Sequence, residues 1–251
     1  LGHPERSFEM YLTPHRSSAM AMFGFVYLWY LMVVLLLEIW LDYRKDIVRL
    51  SQTVKGPLGW VYKALTLGST NVSEGALRAD DRIGYIVTVI GVPSAFLLHG
   101  YVGFIFGSVK ANPWWSTPLM PIVFLFSAMV SGIAAVMLLY MVSNWLRKKA
   151  LDMHCVDTIA KYLFYAFVID FSLEMLDLIH RIYEADESFH TLDFMVHTRL
   201  FLSQVVLQII VGTVVPLAFL AATQLWTFPE YVRRRLYFAS GILTLIGIFA
   251  M

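Results

Sequence analysis

Long apolar stretches alternate with short polar ones along most of the chain. Six of them, residues 19–41, 83–107, 117–146, 158–183, 199–225 and 236–251, reach or approach the length of a membrane crossing. A bilayer core about 30 Å thick takes about 20 apolar residues of helix. Lipid offers the backbone no hydrogen bonds, so each crossing segment must satisfy its own, and a helix does this. The pattern predicts an all-α, polytopic membrane helix bundle, a single transmembrane domain over residues 1–251. Gly91 and Pro93 interrupt the second stretch and Pro216 the fifth, and a kink is expected at each.

Between the first two stretches lies the one long polar region, 42–82, with Gly56, Pro57, Gly59 and Gly68 and an amphipathic run near 60–67. It predicts a cytoplasmic loop carrying a short interfacial helix. The chain starts at Leu1 and stops at Met251 inside an apolar run, so further helices are expected beyond both ends. The first residues, LGHPERSF, have no apolar core or small-residue cleavage site and do not read as a signal peptide.

Charge gives the bundle a direction. Arg44, Lys45, Arg49, Lys55, Lys63, Arg78, Arg82, Arg147, Lys148, Lys149, Lys161, Arg233, Arg234 and Arg235 fall on one side of the alternating segments. Arg6, Arg16, Lys110, Arg181 and Arg199 fall on the other. Lysine and arginine collect on the cytoplasmic side, so the N-terminal segment and the loops near 108–116 and 184–193 face outward. Composition agrees with a lipid-solvated chain. It is 59% hydrophobic and 15% charged, against roughly 25% charged in a soluble domain. Cys155 is the one cysteine, which excludes an internal disulfide and an iron–sulfur cluster held by about four thiolates. Any such redox centre belongs to another subunit.

Ionisable groups inside a membrane helix cost roughly 2.5–3.5 kcal/mol each at the helix centre on insertion scales. The fourth segment carries three: Asp170, Glu174 and Asp177. Their i, i+4, i+7 spacing puts them on one face. Such a row can hand protons along the helix. It can also be a polar face satisfied by Arg or Tyr from neighbours. His99 lies near the outer end of the second segment, followed by Gly100, Gly103 and Gly107, and small residues at that spacing allow close approach of a helix or a ligand. His180 lies on the fourth segment. Histidines on two helices could ligate a b-type haem, but no second pair is present. The run NPWWSTPLMP, 112–121, is either an interfacial aromatic belt or the lip of an apolar pocket, with Trp114 and Trp115 as its rings. Glu38 reads as a snorkelling residue, Arg233 to Arg235 as a topology anchor, and Cys155 as inert.

Three stretches together resemble the NrfD, or polysulfide reductase membrane-subunit (PsrC-like), family. Leu1, Gly2, Pro4, Glu5 and Arg6 match its LGxPER segment. His99, Pro113, Trp115, Thr117, Ser131 and Gly132 match its H, RPxWHT and SG region, and Asp170 and Glu174 its acid-bearing helix. Asn112 stands where the family has Arg, and Ser116 where it has His. The chain is most similar to the DsrP- and HmeB-like branch of sulfate-reducer redox complexes.

The resemblance implies a subunit of eight to ten helices in the cell inner membrane that binds menaquinone and carries no haem or iron–sulfur cluster. It implies electron exchange with a ferredoxin-like iron–sulfur subunit on the outer face, other membrane and cytochrome subunits as neighbours, and no nucleic-acid partner. His99 and Asp170 would meet the quinone oxygens, Tyr101, Trp114 and Trp115 would shape the slot, and Glu174 and Asp177 would continue the proton route. No metal site is expected. A haem b anchor and a proton or ion transporter are the alternatives.

Overall fold

The computed structural model describes residues 17–111, 115–184 and 201–250, with Phe8, Leu12, Thr13, His15, His190, Asp193 and His197. Residues 1–7, 112–114 and 185–189 lie outside them, and with them the LGxPER segment, Pro113 and Trp114. Among the described residues the regular structure is helical, without strands. The chain forms two compact units, Leu1–Tyr101 and Val102–Met251.

In the first unit, α1 (Ala19–Leu28), a π-helical stretch (Trp29–Leu35) and α2 (Leu36–Thr53) follow one another without a break. Ser18 caps the start by accepting a hydrogen bond from the Ala21 N–H. α2 runs well past the apolar stretch, because its second half is amphipathic and anchored by Arg44. The short helix α3 (Pro57–Leu65) follows Gly56, whose φ of 91° suits glycine. α4 starts at Glu74 and ends at Gly107. The region 42–82 is therefore mostly helix, with its irregular backbone near 54–56 and 66–73, rather than a loop bearing one short helix.

Helix α4 continues unbroken through Gly91 and Pro93. A side chain at Gly91 would crowd Val34, which is buried there. Trp29 Nε1 donates to the buried Ser94 Oγ at 3.2 Å, and Ser94 donates in turn to the Ile90 carbonyl at 2.8 Å. Glu38 accepts from Thr88 Oγ1 at 2.6 Å, so it ties α2 to α4. Arg44 is buried and fully engaged. Its Nε and Nη2 reach Asp80 Oδ2 at 2.8 and 2.5 Å, and its Nη1 donates to Ser69 Oγ and the Asn71 carbonyl.

The second unit holds α5 (Met120–Leu146), α6 (Met153–Glu184), a π-helical stretch (Phe201–Val214), α7 (Val215–Leu225) and α8 (Glu230–Ala250). Pro216 sits in the first turn of α7, where the π-helical stretch gives way to α-helix. A proline lacks the N–H that a helix start leaves unpaired anyway. The core lies between α5 and α6: Val130, Ala134, Met137 and Met141 face Val156, Ala160, Leu163 and Phe167, with Leu220 and Tyr237 closing it. Among the described residues, four helical spans are long and apolar enough to cross a membrane: Ala19–Thr53, Glu74–Gly107, Met120–Leu146 and Phe201–Leu225. α6 and α8, which hold the fourth and sixth apolar segments of the sequence, fall outside that group.

Candidate functional site

One stripe of α6 carries both the core and the acids. Val156, Ala160, Leu163 and Phe167 recur at steps of three and four residues, and the same steps lead to Asp170, Glu174, Asp177 and Arg181. The face that packs on α5 at one end becomes charged at the other. Asp177 is satisfied: it accepts from Arg181 Nε at 2.7 Å and from Thr117 Oγ1 at 2.8 Å, with Arg181 buried. Of the two readings of the acid row, this residue matches the packing one.

Asp170 differs. It is 5% exposed, and its Oδ1 has no hydrogen-bond partner among the described residues. A buried carboxylate oxygen without a donor is costly. Asp170 and Glu174 border a cavity of about 20 Å³, closed on the other sides by Ser127 of α5, Gln208 and Thr213 of the π-helical stretch, and Thr244 of α8. That space is large enough for one water. Gln208 Oε1 is likewise buried and unpartnered, so two acceptors without donors meet at one polar cavity.

The cavity exists because two glycines meet beside it. A side chain on Gly212 would lie 2.2 Å from the Gly247 Cα, and one on Gly247 would lie 2.4 Å from the Gly212 Cα. This backbone contact draws the π-helical stretch against α8 and brings Gln208 and Thr213 to the acids. From Thr244 the polar line continues down α8 through Ser240, Tyr237 and Arg233, again at steps of three and four. Ser240 Oγ is buried without a partner. Tyr237 lies beside Thr223 and Asp157, and Arg233 forms an ion pair with Asp157. Polar groups thus run the length of the second unit, from Asp177 to Asp157.

The remaining predicted residues are placed as follows. His99, in the first unit, is half-buried, and its Nδ1 donates to the Ala95 carbonyl at 3.0 Å. In the neutral ring that leaves Nε2 as the acceptor. Tyr101 donates its hydroxyl to the Ala19 carbonyl at 3.0 Å and stacks on Phe23. Two residues apart on a helix, His99 and Tyr101 project to different sides of α4. Trp115, in the second unit, is 39% exposed and meets Phe106 edge-on at 5.2 Å. Gly103 and Gly107 admit helix approach rather than a ligand, since side chains there would strike the Met120 and Thr117 carbonyls. Among the described residues, no group of three or more His, Cys, Asp or Glu could hold a metal ion.

Gln208, Thr213, Ser240, Thr244 and the Gly212–Gly247 contact were not singled out by the sequence pattern. A signal for Ser240 and Thr244 exists, because they continue a stripe from Arg233 and Tyr237 at steps of four, three and four into the apolar part of the helix.

Several apolar helices of membrane-crossing length, with a polar line buried through one of their packed units, define a polytopic α-helical membrane protein. The chain belongs to the NrfD (polysulphide reductase, NrfD) family, whose model matches residues 1–251. It is 34% identical over 145 residues to a selenate reductase subunit of Mesobacillus selenatarsenatis, covering 56% of this chain and 34% of that protein. It is also 34% identical over 107 residues to the protein NrfD of Escherichia coli K12, covering 43% of this chain and 30% of the relative. The alignments therefore span about a third of each curated relative.

Proposed function

We propose that this chain is the quinone-interacting membrane subunit of a reductase complex, exchanging electrons between menaquinone and an external iron–sulfur protein. The observation that carries the reading is the cavity at Asp170. A quinol gives up two protons with its two electrons, so its site needs a buried group that can take a proton and pass it on. Asp170 has an oxygen free for this, Gln208 presents a second acceptor, and Glu174 extends the line toward Asp177. His99, with Nε2 as an acceptor, is the group proposed to accept a hydrogen bond from a quinol hydroxyl. Family membership and the reductase name of one relative support the same reading. Within the family the sequence looks most like the sulfite-reduction-associated branch, and the proposal extends to that chemistry.

The proposed topology has six crossings in the cell inner membrane, with α6 and α8 added to the four apolar spans. α8, at 21 residues, is about 31 Å long at 1.5 Å per residue, which matches a bilayer core. α6 is longer still, at 32 residues.

Solvent extraction and a visible spectrum of the purified, assembled complex test the reading. A co-purifying quinone, with no Soret band that maps to this chain, is expected. A Soret band from this chain without bound quinone would overturn the proposal in favour of a haem b anchor.

A further inference from the structure

A second, larger cavity lies well apart from Asp170 along α5 and α8. It is a groove of about 880 Å³ between the last turns of α5 and the first turns of α8. That volume is at the upper end of the range for sites that hold a whole small molecule. Its wall is apolar: Met141 and Val142 from α5, Phe238 from α8. Its rim is cationic. Tyr231, Arg234, Arg235 and Phe238 stand at i, i+3, i+4 and i+7 and line the groove from one helix face.

The charges at the rim do not cancel. Arg233 is held by Asp157, but Arg234 and Arg235 have no ion-pair partner among the described residues. Glu230 is the one acid lining the groove, which leaves an excess positive charge. α5 ends at Leu146, and the next residues, Arg147, Lys148 and Lys149, are exposed. Trp145 and Tyr231, both largely exposed, flank the arginines. Indole and phenol rings favour the headgroup level of a bilayer, guanidinium groups bind phosphate with two parallel hydrogen bonds, and basic pockets between membrane helices take anionic lipid headgroups.

We infer that this groove binds an anionic phospholipid. Arg234 and Arg235 hold its phosphate, Trp145 and Tyr231 border the glycerol region, and the acyl chains lie along Met141, Val142 and Phe238.

Native mass spectrometry of the assembled complex, exchanged into detergent with equal phosphatidylglycerol and phosphatidylcholine, tests this. The unmodified complex is expected to retain phosphatidylglycerol preferentially. Each of Arg234→Gln and Arg235→Gln should lower that retention about fivefold, the equivalent of about 1 kcal/mol. Val142→Trp narrows the apolar part of the groove while keeping its charge and should also lower the retention. Lys148→Gln with Lys149→Gln, outside the groove, should leave retention unchanged. Equal retention of both lipids by the unmodified complex overturns the proposal without reference to any variant. So does a preference that survives the two arginine substitutions, an equal loss in the lysine variants, or a quinone recovered in place of lipid.

Discussion

Within the acid row of α6 the three carboxylates do different work. Asp177 is held by Arg181 and Thr117, while Asp170 keeps an oxygen without a partner. Removing one member of a buried ion pair strands the other charge, at a cost of about 3–5 kcal/mol. Arg181→Ala should therefore destabilise the protein by about 3 kcal/mol, read as a lower unfolding midpoint in detergent, and a midpoint equal to wild type would assign Asp177 another partner. The i, i+4, i+7 spacing made the row legible in the sequence. Which acid is satisfied was not, because Thr117 lies 60 positions away and its contact depends on how α5 and α6 pack. For His99 the sequence offered a position. The structure adds the Ala95 bond that leaves Nε2 as the acceptor.

At the scale of elements, apolar length located the long helices and misjudged their ends. Hydropathy falls beyond Leu41, yet α2 continues to Thr53, since Arg44 binds Asp80, Ser69 and Asn71 in one network. An amphipathic helix beyond an apolar run does not raise the mean hydropathy and shows only as a 3.6-residue periodicity of apolar positions. Gly103 and Gly107 are a related case: their spacing signals close approach, and the partner proves to be the backbone at Thr117, Met120 and Pro121, while Gly100 meets nothing. The contact that shapes the Asp170 cavity joins Gly212 to Gly247 across 35 positions, and no local pattern marks it. Gly212→Val should force the π-helical stretch off α8, because even a single added carbon lies 2.2 Å from backbone. We expect a lower unfolding midpoint and weakened activity together, measured on the same preparation. Full stability in that variant would mean that the two helices do not need their backbone contact.

At the scale of the whole molecule, membrane insertion and family were both legible, the first from hydropathy and the second from motifs. The orientation argued from lysine and arginine predicts a labelling result. On a Cys155→Ser background, cysteines placed at Lys110 and at Lys148 should react with an impermeant reagent from opposite sides of the membrane, Lys148 from the cytoplasmic side. Labelling of both from one side would remove a crossing from the proposed six. The central claim concerns the chemistry at Asp170, and quinol turnover by the assembled complex tests it most directly. Loss of a positioned proton carrier lowers rates by about 10²–10⁴-fold. The account predicts that Asp170→Asn, which keeps the shape of the side chain, assembles normally and turns over a menaquinol analogue about a hundredfold more slowly than wild type. Wild-type turnover by an assembled Asp170→Asn complex would contradict it.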